Sequence, residues 1–238
     1  MGSEAVRLGV LASGRGTNFA ALADAARAGR LGGDIAVLIV DRAEAGARQE
    51  ASRRSIPDVL LDPGSKRTRL TPEAEKRLVG VLRDHGVGLV LLAGFMRMVH
   101  EDLLGAFPMS VINIHPSLLP AFPGLEAPRQ ALEHGVAITG TTVHLVDASL
   151  DGGPILAQAA VPVLPGDDVA QLTHRIQEAE HRLYPETVRR FLESRPRVEG
   201  RRVIWSAPTA APSPTALPSA TAAPGATAAP VSPGGAAR

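Results

Sequence analysis

Several runs of this chain are apolar at nearly every position, not at every second one: residues 6–12, 34–41, 87–93 and 111–115. A strand with one face in water alternates polar and apolar side chains. A strand with no polar face must be covered on both sides, and this is the habit of parallel sheets sandwiched between helices. The intervening segments have helical character. Residues 18–27 are rich in Ala, 43–55 read as a second helix, and 71–85 as a third, with Thr71 as cap and Glu73 and Glu75 in its first turn. A short strand is expected at 58–61. After residue 115 the rhythm changes. Strands at 137–147 and 154–163 are joined by 148–153 with no helix between, which requires an antiparallel or mixed edge. A long helix over 167–192 and a last strand over 198–204 complete the pattern. The expected fold class is α/β, a Rossmann-like open and mostly parallel sheet with helices on both faces and a mixed or antiparallel C-terminal edge.

Composition narrows the functional classes. With 238 residues and aromatics at 3%, the core must be built from Val, Leu, Ile and Ala. Net charge is +1 and no basic stripe stands out, which argues against nucleic acid as the partner. The absence of cysteine excludes disulfides, thiolate catalysis and Cys-based metal sites, and no histidine spacing suggests a metal. No run of about 18 apolar residues and no leader-like N-terminus is present, so a cytoplasmic protein with no membrane partner is expected. Residues 206–238 consist largely of Ala, Pro, Ser, Thr and Gly and are expected to be disordered. The folded unit is expected over 1–205, with an N-terminal half over 5–100 and a C-terminal half over 101–205.

Three motifs carry chemistry. Ser13-Gly-Arg-Gly-Thr-Asn18 joins a strand to a helix, where glycines let the backbone approach an anion and the helix N-terminus offers free N–H groups. It matches neither the P-loop nor the dinucleotide fingerprint, and an ordinary tight turn is the alternative. Asn113 and His115 are two apart at the end of an apolar strand, so both side chains leave the same face. An amide N–H and an imidazole can meet an oxygen that becomes negative and move a proton near neutral pH. A structural, hydrogen-bonded histidine is the alternative. Asp151, in Leu150-Asp-Gly-Gly-Pro154, reads as a turn until it is set beside His115, whose ring a carboxylate would orient. His144 alternates with Thr142 and Val146 and fits a satisfied, half-buried histidine. The loop Gly94-Phe-Met-Arg-Met-Val99 offers soft apolar side chains and one arginine to a flat ring with an acidic tail, or simply packs.

Taken in order, these segments resemble the phosphoribosylglycinamide formyltransferase family of folate-dependent formyltransferases. The segments are the glycine loop, Ala93-Gly-Phe-Met-Arg97, Asn113-Ile-His-Pro-Ser-Leu-Leu-Pro120, Leu150-Asp-Gly-Gly-Pro154 and Glu180-His-Arg-Leu-Tyr-Pro185. The resemblance covers about residues 5–200 and implies the formyltransferase fold. It implies a catalytic Asn113, His115 and Asp151, a substrate phosphate on Gly16, Thr17 and Asn18, and Glu180 at the substrate's amine end. It places folate against Met96, Arg97, Met98, Val99, Asn113, Val146, Asp147 and Asp151, with Arg69 as the candidate for a further arginine. A cis peptide at Leu119–Pro120 is also implied. Two departures stand out: Glu126 and Pro128 occupy positions where the family carries histidines, and Arg15 replaces a smaller polar residue.

The implied reaction passes a formyl group from 10-formyltetrahydrofolate, a co-substrate, to the amine of glycinamide ribonucleotide, with no metal. These small molecules would be the partners, in a monomer or homodimer. Two alternatives remain open. A formyltetrahydrofolate hydrolase shares the Asn, His and Asp but resembles a fusion with an extra N-terminal domain, for which no room is expected before the first strand. A non-catalytic sugar-phosphate or folate binding module would keep the glycine loop without needing the three polar residues together.

Overall fold

The computed structural model describes residues 5–66 and 68–205. The disorder expected for 206–238 therefore concerns residues outside those described. The elements run β1 (Val6–Ala12), α1 (Thr17–Arg27), β2 (Gly33–Val40), α2 (Gly46–Arg53), β3 (Asp58–Leu60), α3 (Pro72–Asp84), β4 (Leu89–Leu92), α4 (Glu101–Ala106) and β5 (Val111–His115). Then come α5 (Ala127–Glu133), β6 (Ile138–Leu145), β7 (Ile155–Pro162), α6 (Val169–Ser194), β8 (Arg197–Glu199) and β9 (Arg202–Ile204).

A seven-stranded sheet has the order β3-β2-β1-β4-β5-β6-β7. The first five of these pair in parallel, and β6 and β7 are antiparallel. The strands feed two cores by simple alternation. Val10, Leu38 and Leu91 point to the face covered by α1, α2 and α6. Leu11, Ile39 and Leu92 point to the face covered by α3 and α4. The apolar runs are continuous because both faces of each central strand are buried, as expected.

Local signals explain several boundaries. The Thr71 hydroxyl accepts from the Ala74 amide at 3.3 Å and starts α3. Asp168 and Gln171 form a reciprocal capping box at the start of α6. The Leu119–Pro120 peptide is cis, as the resemblance implied. Among the described residues, no helix is long and apolar enough to cross a membrane.

The last strand is a correction. Residues 198–204 do not form one strand in the sheet. They belong to a separate hairpin, β8–β9, turned at Gly200 with φ 61°. Its Val198 and Val203 pack on the core under α1 and α6, and Trp205 follows them there. The short helix α5 was not expected either. It follows Glu126, a capping residue in the left-handed region, and carries Pro128 in its first turn. The sheet runs without a break across the expected boundary between halves at residue 100, because β4 and β5 lie side by side.

Candidate active site

In an open parallel sheet, the loops leaving the strand ends diverge where strand order reverses, and a crevice opens there. Here β1 has β2 on one side and β4 on the other. A cavity of about 810 Å³ opens at this point, lined by the loops after β1, β4 and β5 and closed by α6.

At the end of β5, Asn113 and His115 both face this cavity, as their spacing predicts. The antiparallel register sets Asn113 directly opposite His144. The ring Nδ1 of His144 lies 3.0 Å from the Leu145 carbonyl, which can only accept. Nδ1 therefore carries the proton in the neutral ring, and Nε2 accepts from the Asn113 amide nitrogen at 3.1 Å. Burial lowers the pKa of His144 and favours this neutral form, against the pull of Asp151. The Asn113 amide is thus held by one N–H, which leaves the second for a ligand.

His115 is buried at the strand end. Its Nε2 donates to the Phe122 carbonyl at 2.9 Å. Its Nδ1 lies 3.5 Å from Asp151 Oδ2, within ion-pair reach. The same carboxylate oxygen accepts from the Gly124 amide at 2.8 Å, so one turn holds both Asp151 and His115. Asp151 adopts φ 49°, and Gly153 follows in backbone contact with β6: a Cβ there would lie 1.8 Å from the Leu145 carbonyl oxygen. The Asp-Gly-Gly turn is therefore both a turn and the mount for a carboxylate.

On the other wall, Gly16 precedes α1 with φ 83°, and no side chain caps the helix. Its unpaired N–H groups and positive end face the cavity mouth. Asn18 donates to the Glu180 carboxylate at 2.8 Å, joining the loop to α6. Burial pushes the Glu180 carboxyl up to about 7, against hydrogen bonds with Asn18 and Thr141. One turn further along α6, the Tyr184 hydroxyl reaches the carbonyls of Leu92 and Ile112 at 3.1 and 3.0 Å, at the end of β4 and near the start of β5.

The loop after β4 carries the residues expected at folate. Met96, Arg97, Met98 and Val99 line the cavity, as do Val146 and Asp147 from the far side. The Arg97 guanidinium is engaged elsewhere: Nε lies 2.7 Å from Asp41, and Nη1 donates to the Lys66 carbonyl at 2.5 Å. These contacts fix the loop to the end of β2, so Arg97 offers its backbone and stem to the cavity. Arg69 is not in the lining; its backbone bridges to that of Met98, which is.

One family model, described as formyl transferase, matches residues 6–188. The chain belongs to the formyl transferase family. It is 38% identical over 186 residues to the phosphoribosylglycinamide formyltransferase of Bacillus subtilis (strain 168), covering 78% of this chain and 94% of the relative. Identity is 37% to the enzyme of that name from Escherichia coli (strain K12), over 78% of this chain and 87% of the relative. The structure of glycinamide ribonucleotide transformylase 1 from Symbiobacterium toebii is similar with a TM-score of 0.80 and 52% identity, over 84% and 93% of the two chains. A formyltetrahydrofolate deformylase from Pseudomonas syringae also shares the fold at TM-score 0.78, with 27% identity over 85% of this chain and 66% of that one.

For this formyl transferase, sequence reasoning missed two kinds of partner. The Phe122 and Gly124 backbone groups that hold His115 and Asp151 leave no trace in side-chain identity. His144 was noticed, but its pairing with Asn113 follows from strand register, which no spacing within either strand reveals.

Proposed function

We propose that the chain transfers the formyl group of 10-formyltetrahydrofolate to the primary amine of glycinamide ribonucleotide, a step of purine synthesis carried out in the cytoplasm. The observation that carries this reading is the meeting of Asn113, His115 and Asp151 in one cavity with an uncapped helix N-terminus at its other end. A phosphate held at Gly16, Thr17 and Asn18 directs the substrate's far end toward β5. Folate enters between the 94–99 loop and residues 146–151.

The amine attacks the formyl carbon and forms a tetrahedral species with an oxyanion. The free Asn113 N–H meets that oxygen, and the His115 Nε2–H joins it by exchanging the Phe122 carbonyl for the oxyanion; a preorganised donor of this kind contributes roughly 3–4 kcal/mol. Asp151 holds the proton on the His115 edge that faces it and relays a proton, through water, from the amine to the departing folate nitrogen. Glu180 fixes the glycinamide end. No side chain is acylated.

The likeness to a deformylase supports a second reading, in which water replaces the amine. One assay separates the two. Release of tetrahydrofolate from the 10-formyl donor is followed with and without glycinamide ribonucleotide, in the wild type and in His115→Ala. Release that depends on the ribonucleotide and on His115 supports transfer. Release at the same rate without it makes the protein a hydrolase, and tight binding without release makes it a binding module.

A further inference from the structure

Three arginines line the cavity among the described residues: Arg15, Arg97 and Arg129. Two have carboxylate partners. Arg97 is paired with Asp41, whose side chain is fully buried, and Arg129 Nε lies 2.9 Å from Glu126. Arg15 instead donates from Nη2 to a neutral acceptor, Gln177 Oε1, at 3.2 Å. Asp24 and Glu50 flank the adjoining recess, which Arg15 also lines, but both are held by Arg54 at 2.8 and 2.5 Å. The positive charge of Arg15 is therefore not balanced by these neighbours. It stands at the exposed lip of the loop, beside the uncapped start of α1, whose first turn contains no acid.

The loop and α6 are joined by two rungs. Asn18 meets Glu180 and Arg15 meets Gln177, so the partners are three residues apart on both strands of the ladder. Only the inner rung ends in a carboxyl group. A guanidinium resting on an amide oxygen has a weak partner, and hydrogen bonds to an anion are shorter and about twice as strong. Arg15 can exchange Gln177 for a phosphate dianion without breaking an ion pair. The planar fork of arginine suits such an oxyanion, which lysine meets only as a point charge.

We propose that Arg15 determines the site's preference for a phosphate monoester over the free sugar: it leaves Gln177 and closes on a phosphate seated on the amides of Gly16, Thr17 and Asn18. The inference rests on the proposed transferase reading for the identity of the full substrate, while phosphate capture itself requires no transfer.

Ribose 5-phosphate is the direct probe, because it carries the monoester but cannot react. Its binding to the whole chain is measured by calorimetry in the wild type, Arg15→Gln and Arg15→Lys, at low and high salt. Arg15→Gln should weaken binding by about 10- to 100-fold, Arg15→Lys should restore part of it, and the wild type should lose more affinity to salt than Arg15→Gln. In turnover, the KM for glycinamide ribonucleotide should rise by a similar factor, while kcat and the KM for 10-formyltetrahydrofolate stay within about twofold. Equal binding of ribose 5-phosphate by wild type and Arg15→Gln, or no binding by the wild type, overturns the assignment. Arg15-dependent binding in a protein that transfers no formyl group leaves the assignment standing and removes the transferase reading instead.

Discussion

Glu180 is buried between the glycine loop after β1 and the sheet, and its carboxyl is raised from 4.5 to about 7. The folded state holds that proton more tightly than the unfolded chain does. The contribution to stability is therefore complete below about pH 4.5 and is lost as pH rises through 7. Glu180→Gln stays neutral and keeps an acceptor for Asn18. Its stability relative to wild type should increase between about pH 5 and about pH 8, by up to roughly 3 kcal/mol. Denaturant unfolding at the two pH values checks this, and a constant difference would show that the carboxyl is not neutral in the fold. His115 and Asp151 belong together at the same scale. Asp151→Asn and His115→Ala should each slow turnover by about 10²–10⁴-fold. Because the two share one task, the double variant should be little slower than the worse single one. Additive losses, or near-normal turnover in either single variant, would mean that the pair is structural.

Between elements, the decisive feature is how little room the turn from β1 to α1 leaves. A Cβ on Gly16 would lie 2.5 Å from the Ala47 Cα in α2, and the φ of 83° already disfavours any side chain. Gly16→Val should push the loop off α2, misdirect the α1 amides and raise the KM for the ribonucleotide, while folate affinity is nearly kept. Folate failing first would mean that the two half-sites are assigned the wrong way round. The glycine loop also touches its neighbour directly: the Ser13 amide donates to the Gly94 carbonyl at 3.0 Å, and the Met96 amide donates to the Ser13 hydroxyl at 2.9 Å. The two cavity-lining loops are thus hydrogen-bonded to each other at their bases.

At the scale of the whole molecule, the hairpin after α6 closes the core. Val198, Val203 and Trp205 pack on it, and the Arg190 guanidinium lies 4.1 Å from the Trp205 ring centroid. Ending the chain after Ser194 should lower Tm by about 5–10 °C, as expected for a loss of a few kcal/mol in a protein of this size. Ending it after Trp205 should change neither Tm nor activity, since the composition of 206–238 offers little to bury against the cost of ordering it. Thermal melts of the two truncations separate these expectations.

Much of this molecule is legible in its residues. Continuous apolar runs at β1, β2, β4 and β5 require a sheet buried on both faces, and that sheet determines where a crevice opens. Thr71 marks a helix start, and the two-residue spacing of Asn113 and His115 places them on one face. These are local properties, governed by backbone periodicity and by the burial of apolar surface. What depends on long-range register and chain return was decided only on folding: Asn113 opposite His144, Asp151 against His115, Asn18 and Arg15 reaching α6, Arg97 turned to Asp41, and a hairpin where one strand was expected. Each joins side chains or backbone groups far apart in the chain, or depends on how a turn closes. The free energies that place them come from packing and paired charges, which a linear pattern of residue types does not record.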